Sequence, residues 1–121
     1  MTEIIFSYTR AQAIADGVLV DVSELAKEAG FRFPVALTSA VWGACVEVGP
    51  TDNCQDEQAR LWDILNVLRY RSRETGSQQV IRFEVLIANG GSVTKPVLLK
   101  AHCGPGDYLE PVITIMLPGE D

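Results

Sequence analysis

The sequence predicts a single α+β domain, in which three or four helices are followed by a three-stranded antiparallel β-meander that packs on them, with the helices covering one face of the sheet. Up to Arg73 the apolar residues recur with a helical period, and glycines separate the helical segments. From Val80 onward apolar and polar residues alternate instead, with turn residues between the runs. The chain has 121 residues, which is the length of about one domain. We therefore expect residues 1–121 to form one folding unit.

The first two predicted helices are short. Thr9 and Gln12 have the spacing of a capping box, and Gly17 ends the helix that they open. Asp21 is a favourable residue for the start of a second helix, which ends at Gly30. Helices of this length are unstable alone, so both must pack against a core.

A third helix is predicted after Pro34. The residue before a proline is disfavoured in the helical region, so the approach to Pro34 is extended. Apolar residues then recur at a helical spacing, and Gly49-Pro50 ends the element. The residues that define this spacing are Leu37, Val41, Ala44 and Val48.

The fourth and longest helix is predicted from about Gln55 to Arg73. Acidic residues cluster at its start and arginines at its end, which is the order that the helix dipole favours. Its apolar face contains Leu61, Leu65 and Leu68. We expect it to be the main helix of the fold.

The last part of the chain predicts three strands. Val80–Ile87 has an apolar residue at every second position, and Asn89-Gly90-Gly91 is a strong signal for a hairpin turn. The returning strand is Val93–His102, in which Pro96 indicates an edge position or a bulge. Pro111–Leu117 is the third strand.

Composition and charge exclude several classes of protein. Hydrophobic residues make up 47% and charged residues 21% of the chain, which excludes a disordered or collagen-like protein. Asp and Glu number 16 and Lys and Arg 10, so the formal net charge is −6. This acidity argues against a dedicated nucleic-acid binder or a polybasic membrane-surface protein.

The sequence carries no signal for export or for membrane insertion. Met1–Phe6 lacks the basic start and the apolar run of a signal peptide. No segment approaches the roughly 18 apolar residues of a membrane span. The 3 cysteines are an odd number, which favours reduced thiols over a disulfide framework. We expect a cytoplasmic protein.

One group of side chains has the chemistry to hold a soft metal ion. It consists of Cys45, Cys54, His102 and Cys103. No C-x-x-C pair is present, and the neighbouring strand residues His102 and Cys103 point to opposite faces. We therefore expect no metal site and no cofactor.

Cys54 is the candidate nucleophile, because it precedes the long helix and a helix N-terminus stabilises a thiolate. Asp52 and Asp56 act in the opposite direction, since nearby carboxylates disfavour a second negative charge. The chain contains neither a G-x-S-x-G motif nor a phosphate-binding loop. We predict no catalytic residue.

Arg69, Arg71 and Arg73 form the one basic cluster and are interleaved with Tyr70. Such a cluster can contact phosphates or stack on bases. The dipole at a helix C-terminus also favours arginine, and in an acidic chain this structural interpretation is preferred. Nucleic-acid contact through the three arginines is a third hypothesis for function.

Several segments resemble one family of proteins. The opening segment YTRAQAIADGVLVDVS, residues 8–23, is the most specific, and Gly30–Thr38, Arg60–Asp63 and Arg82–Val85 resemble later blocks. The sequence resembles a family of small uncharacterised bacterial proteins, which are often carried on plasmids, phages or other mobile elements. The resemblance implies no activity that can be transferred, so no catalytic residue follows from it.

Arg10 and Arg32 lie in these segments, and local structure dictates no role for either residue. One interpretation is a buried arginine that pairs with Asp16, Asp21 or Asp63. The other is an arginine that binds a ligand or a partner through paired hydrogen bonds.

The leading hypothesis for function is a non-enzymatic accessory protein that binds another protein. The resemblance implies a mobile-element factor that modulates host defence, an association that fold alone would not prove. The alternative is a small enzyme or ligand-binding domain with a pocket between the helices and the sheet, lined by Arg10, Arg32, Trp62 and Asp63. We expect a protein partner, no membrane or nucleic-acid partner, and either a monomer or a homodimer.

Overall fold

The computed structural model describes residues 8–47, 54–75, 79–88 and 94–120. These residues form α1 (Arg10–Ala15), α2 (Ser23–Glu28), α3 (Ser39–Val41), a π-helix (Trp42–Val46) and α4 (Cys54–Thr75). They also form the strands β1 (Leu19–Asp21), β2 (Val35–Thr38), β3 (Val80–Ala88), β4 (Thr94–Pro105) and β5 (Pro111–Met116). The predicted α+β class is confirmed. The predicted turns at Gly49-Pro50 and Asn89-Gly90-Gly91, and the segment Met1–Phe6, lie outside the described residues.

The strands form one mixed sheet with the order β1-β2-β5-β4-β3. β3, β4 and β5 are antiparallel neighbours, so the predicted meander is present. The prediction of a three-stranded sheet is wrong, because β1 and β2 from the N-terminal half extend the sheet to five strands. β2 runs parallel to β5, with Val35 opposite Ile113, and β1 is antiparallel to β2.

Strand β2 occupies the start of the region for which the sequence predicts a third helix. Val35, Ala36 and Leu37 are fully buried in the middle of the sheet. A strand covered on both faces is a continuous apolar run without polar alternation, so its pattern resembles that of a buried helix. Helical structure is limited to residues 39–46, and Val48 lies outside the described residues.

The hydrophobic core lies between α4 and one face of the sheet. Buried side chains form a stripe along α4, and every second residue of β3 faces them. The residues that meet there are Leu61, Ile64, Leu65 and Leu68 from α4, and Ile81, Phe83, Val85 and Ile87 from β3. This packing agrees with the expectation that α4 is the main helix.

Helix α1 lies on the opposite face of the sheet. Thr114 alternates along β5 with Ile113 and Ile115, which pack in the core, so its side chain points away from α4. The Arg10 guanidinium on α1 donates a hydrogen bond to Thr114 Oγ1 at 2.8 Å. The helices therefore lie on both faces of the sheet, and not on one face as the sequence predicts.

Two caps fix the start of α1. Thr9 Oγ1 accepts from the Gln12 amide at 3.0 Å, and Gln12 Oε1 accepts from the Thr9 amide at 2.9 Å, so the predicted capping box is confirmed. The Asp107 carboxylate, from the turn between β4 and β5, accepts from the amides of Arg10 and Ala11. These bonds connect α1 to the meander.

Pro96 lies in β4, which is an inner strand, where a proline is normally excluded. The pairing of β4 with β5 ends at Lys100 and Met116, whereas β4 continues back to Thr94 beside β3. No described strand therefore needs the amide hydrogen that Pro96 lacks. The proline occupies a local edge, as predicted.

Candidate functional site

A pocket of about 430 Å³ lies between α4, the connection from α2 to β2, and the core-facing side of the sheet. Its floor is apolar and its rim carries three arginines, and we call it the arginine pocket. The floor is formed by Phe31, Leu68, Ile81, Ala101 and Ile113, and the rim by Arg32, Arg69 and Arg73. Its volume lies in the range of small-molecule sites, which is roughly 300–1,000 Å³.

The connection from α2 to β2 begins with a tight turn at Gly30. Its φ of 105° lies in the left-handed region, where a residue with a Cβ is strained. The Gly30 amide donates to the Lys27 carbonyl and the Phe31 amide to the Ala26 carbonyl, which together form a Schellman motif. The turn directs Phe31 towards the core and leaves Arg32 exposed beside it.

Arg69 and Arg73 lie on the same side of α4, because residues four apart are neighbours on a helix. Arg69 reaches the turn at Gly30: a Cβ added to Gly30 would lie 2.6 Å from Arg69 Cζ, so the guanidinium uses the space that glycine leaves. Ser72 Oγ donates to the Arg69 carbonyl at 2.7 Å. The end of α4 thus presents two arginines next to Arg32.

The arginine pocket concentrates positive charge in an acidic protein. The whole chain has a formal net charge of −6, yet none of the described side chains that line the pocket is Asp or Glu. Within the described residues, no hydrogen bond or ion pair engages the guanidinium groups of Arg32, Arg69 and Arg73. Their donors are available to a ligand, and a guanidinium binds a carboxylate or phosphate through paired hydrogen bonds.

Cys103 adds a free thiol to the wall of the arginine pocket. It is half-buried on the core-facing side of β4, and its amide donates to the Gln79 carbonyl at 2.7 Å. The neighbouring His102 is exposed on the other face of the sheet, as the alternation of strand residues predicts. The reactivity of Cys103 can therefore report on the contents of the pocket.

A second cleft, of about 780 Å³, lies beneath α1 on the opposite face of the sheet, and we call it the α1 cleft. Its charged lining residues have both signs: Arg10, Lys100, Asp107 and Glu120. The two acidic side chains form hydrogen bonds within the protein. Asp107 caps α1, and Glu120 Oε1 accepts from Thr38 Oγ1 and from the Leu117 amide, each at 2.8 Å.

Arg10 is a predicted site residue whose hydrogen bonds serve the fold. Its Nη1 donates to Thr114 Oγ1 at 2.8 Å, and its Nη2 donates to the Ile113 carbonyl at 2.9 Å. Burial lowers the pKa of Arg10, while the carboxylates of Asp21 and Asp107 act in the opposite direction. The side chain holds α1 on the sheet.

Two of the acids predicted to pair with Arg10 or Arg32 have other partners. Tyr8 Oη donates to Asp16 Oδ2 at 2.7 Å, and this hydrogen bond is the main cause that raises the pKa of Tyr8. Asp21 Oδ1 accepts from the amide and the hydroxyl of Ser23 at the start of α2. The Arg10 guanidinium is thus bound by neutral acceptors, and not by a carboxylate.

The four residues predicted to line one pocket are not brought together. Arg32 lines the arginine pocket, whereas Arg10 lies across the sheet from it. Trp62 lines a shallow groove of about 320 Å³ between α2 and α4, beside Leu25. Asp63 is exposed on α4.

The basic cluster at the end of α4 divides into two parts. Arg69 and Arg73 line the arginine pocket. Arg71 is exposed outside the pocket lining, because two residues correspond to about 200° around a helix. The three arginines therefore do not form a continuous basic stripe.

Among the described residues, no group of three His, Cys, Asp or Glu side chains is arranged to hold a metal ion. Cys45 is buried in the core, and this burial raises the pKa of its thiol. The side chains of Cys54, Asp52 and Asp56 lie outside the described residues. In that same described part of the chain, no helix has the length and apolar character needed to cross a membrane.

Sequence reasoning misses several residues of the arginine pocket. Gly30 is identified only as a helix stop, and Cys103 only as a metal-ligand candidate. The i, i+4 spacing of Arg69 and Arg73 is a local signal that indicates a shared face. No local pattern joins Arg32 to them, because their proximity depends on how the turn after α2 packs beside α4.

Comparison with known proteins gives a family without a known function. The chain matches the model of DUF6573, a family of unknown function, over residues 1–121. No curated protein and no solved structure matches the chain. The bacterial and mobile-element origin that the resemblance implies stays a prediction. Because the match covers the whole chain, this protein belongs to the family of unknown function DUF6573.

Proposed function

We propose that this protein binds a small anionic molecule in the arginine pocket, with its anionic group at the rim and an apolar part on the floor. The observation that carries the proposal is the grouping of Arg32, Arg69 and Arg73 around an apolar cavity, with no acidic side chain among its described lining residues. This proposal develops the ligand-binding alternative of the sequence analysis; of the four residues predicted to line that pocket, it keeps only Arg32.

The arginines select the charge of the ligand. Each guanidinium presents a fork of donors that fits two oxygens of a carboxylate or phosphate. The net charge of the whole chain is −6, but charges farther away than about 8 Å are largely screened at physiological ionic strength. A local cluster can therefore bind an anion. A dianionic phosphate ester matches three arginines better than a single carboxylate does.

The apolar floor of the pocket favours a ligand that carries an apolar group beside its anionic group. Phe31, Ile81 and Ile113 offer apolar surface next to the arginines. Covering such surface contributes about 25 cal/mol per Å². We therefore expect the ligand to be a phosphate monoester or carboxylate that carries an aliphatic or aromatic group.

Titration with phenyl phosphate tests this proposal, with inorganic phosphate as the probe that lacks an apolar part. We expect phenyl phosphate to bind more tightly than inorganic phosphate. Its affinity should fall about tenfold or more in Arg69→Gln, because a hydrogen bond to a charged group contributes about 1.5–3 kcal/mol. Isothermal titration calorimetry measures both effects. Lys27→Gln removes the same charge from an exposed position on α2 and should keep the wild-type affinity.

Alkylation of Cys103 gives an independent measurement. The thiol lines the pocket, so bound phenyl phosphate should slow its reaction with iodoacetamide. Peptide mass spectrometry separates Cys103 from the other cysteines. If phenyl phosphate binds equally well to Arg69→Gln, or leaves the alkylation of Cys103 unchanged, the proposal is wrong.

Binding of a protein partner is a second candidate function, which the turn between β4 and β5 favours. Tyr108 and Leu109 are 89% and 83% exposed on this turn. Leu109 has a φ of 67°, and strain of this kind in a residue with a Cβ is concentrated at functional positions. The Gly106 amide bonds the Glu110 carbonyl, and Asp107 caps α1, so the turn is held in place. Exposed, preorganised aromatic residues are typical anchors of protein interfaces.

Affinity purification with Tyr108→Ala tests this second candidate. We expect one stoichiometric, salt-resistant protein partner that the wild type retains and the variant loses. Tyr70→Ala removes another exposed tyrosine, on α4, and should retain the partner. A partner that Tyr108→Ala retains, or no partner for the wild type, contradicts the hypothesis. The role in host defence stays a prediction, which the identity of the partner would test.

A further inference from the structure

Strand β3 is a long strand at one edge of the sheet that the described residues form. It has 9 residues, contains no proline, and pairs only with β4 among the described strands. Natural proteins usually shorten or bulge their edge strands, or place proline or charged side chains on them, because open backbone groups pair with other strands. Of these devices β3 has only two charged side chains, Arg82 and Glu84, and their opposite signs allow a second copy to pair with them. The other edge of the sheet, β1, has only 3 residues. An interaction through the sheet edge is therefore expected at β3.

The backbone groups that face outward belong to the even-numbered residues of β3. The Cys103 amide donates to the Gln79 carbonyl, and in an antiparallel ladder the residues that bond a given neighbour alternate. The odd-numbered residues of β3 therefore bond β4. The amides and carbonyls that face the open edge are those of Val80, Arg82, Glu84 and Leu86.

The side chains of these residues are exposed on the face of the sheet opposite α4. Val80 and Leu86 are apolar and yet 37% and 63% exposed. Arg82 lies directly opposite Lys100 on β4, which is an unfavourable like-charged pair. Within the described residues, neither Arg82 nor Glu84 has a hydrogen bond or ion pair through its side chain. The edge thus carries two exposed apolar side chains and two charged side chains that form no ion pair within the described residues.

Two copies of β3 complement each other in one antiparallel register. When Phe83 lies opposite Phe83 of a second copy, Arg82 faces Glu84 and Val80 faces Leu86. The two-fold axis repeats each pair, so every charged or apolar side chain of the edge finds a matching neighbour.

Other registers are disfavoured. A shift by two residues in either direction places Arg82 opposite Arg82, or Glu84 opposite Glu84, and like charges directly opposite each other are destabilising. A shift by one residue removes the match between the outward-facing amides and carbonyls, and exchanges the two faces of the added strand. Among registers within two residues of this one, only the register with Phe83 opposite Phe83 pairs both charges with opposite charges and both apolar side chains with apolar ones.

We propose that the edge of β3 is an interaction surface for a second copy of this chain, and that two five-stranded sheets join there into one continuous sheet. In this arrangement Glu84 of the second copy lies beside Arg82 and offsets its repulsion from Lys100. The exposed Val80 and Leu86 become covered. The dimer does not depend on anion binding in the arginine pocket.

Charge reversal at the edge tests both the surface and the register. Analytical ultracentrifugation over a range of concentrations measures the dissociation constant of the dimer. We expect Arg82→Glu to raise this constant about tenfold or more, because both ion pairs become like-charged pairs. Glu84→Arg should act in the same direction. The double variant Arg82→Glu/Glu84→Arg restores opposite charges and should return the constant close to the wild-type value.

Two controls separate pairing from folding and from net charge. Arg82→Glu places its new carboxylate opposite Lys100, so the monomer should fold normally, which circular dichroism checks. Lys27→Glu makes the same change in net charge at an exposed position on α2 and should leave the constant unchanged. The proposal is overturned by a wild type that remains monomeric, by a dimer that Arg82→Glu does not weaken, or by a double variant that is no tighter than the single ones.

Discussion

The two faces of the sheet use arginine in different ways. On one face, Arg10 donates to Thr114 Oγ1 and to the Ile113 carbonyl, and so holds α1 on the sheet. On the other face, the three arginines of the arginine pocket have no partner among the described residues. An arginine with satisfied donors contributes to folding, whereas an unpartnered one beside a cavity is available to a ligand. The comparison predicts which arginines determine stability and which determine binding.

The largest expected effect is on binding. The double variant Arg69→Gln/Arg73→Gln should lose about 100-fold or more in affinity for phenyl phosphate, because each charged hydrogen bond contributes about 1.5–3 kcal/mol. Its free energy of unfolding should change by less than about 0.5 kcal/mol, as is usual for surface substitutions. Calorimetry and urea denaturation measure the two quantities. A variant that binds normally but unfolds more easily would show that these arginines determine stability, and would contradict their assignment to binding.

Substitution of Arg10 should have the opposite result. Arg10→Ala should lower the free energy of unfolding by about 1–3 kcal/mol, because it leaves the Ile113 carbonyl and the Thr114 hydroxyl without their donor. Its affinity for phenyl phosphate should equal that of the wild type. Arg32→Ala is the matched control on the other face and should change stability little. Equal losses of stability in the two variants would contradict the distinction between the faces.

Alanine substitutions at Gly30 and Gly17 distinguish the effect of backbone strain from the effect of displacing Arg69. Gly30 and Gly17 have φ values of 105° and 81°, so alanine should cost about 1–2 kcal/mol of stability at each position. Only at Gly30 would the new Cβ meet Arg69, at 2.6 Å from Cζ, whereas nothing lies within 4 Å at Gly17. Urea denaturation should give similar losses for both. Calorimetry should detect weaker binding of phenyl phosphate in Gly30→Ala alone, and equal affinities would argue against a role for Arg69.

The smallest expected effect concerns the core between α4 and the sheet. Burial raises the pKa of the Cys45 thiol, so the folded state keeps this proton at a pH where the unfolded state has lost it. The resulting contribution to stability is complete below the ordinary thiol pKa and is lost as the pH rises towards the raised value. The free energy of unfolding should therefore fall with pH in this range, with a shallower slope in Cys45→Ala. Val41→Ala, another fully buried position, should keep the wild-type slope.

The sequence predicts some elements of the fold well because their signals are local. Helix α4 and the strands β3 to β5 have long stretches of one period, and their predicted bounds lie close to the observed ones. Strand β2 is missed, because Val35, Ala36 and Leu37 are covered on both faces and show no alternation. The position of α1 is also missed, because the contacts that place it on the sheet leave no pattern in the sequence. The acceptors that hold Arg10 are a hydroxyl and a backbone carbonyl of β5, which carry no charge signal.

The candidate site is predictable only in part. The spacing of Arg69 and Arg73 places them on one side of a helix, and the same rule places Arg71 elsewhere. Their meeting with Arg32 depends on the packing of the turn after α2 against α4, where Gly30 makes room for the Arg69 guanidinium. This contact joins segments that are distant in the chain, and no pattern within either segment encodes it.

An NMR titration of isotope-labelled protein with phenyl phosphate tests the assignment of the binding site most directly. We expect the amide signals of residues 30–33 and 69–73 to shift together with one dissociation constant, because these residues surround the arginine pocket. The signals of Arg10 and Thr114 should change little. Shifts centred on the α1 cleft, or no shifts at high concentrations of phenyl phosphate, would contradict the assignment of anion binding to the arginine pocket.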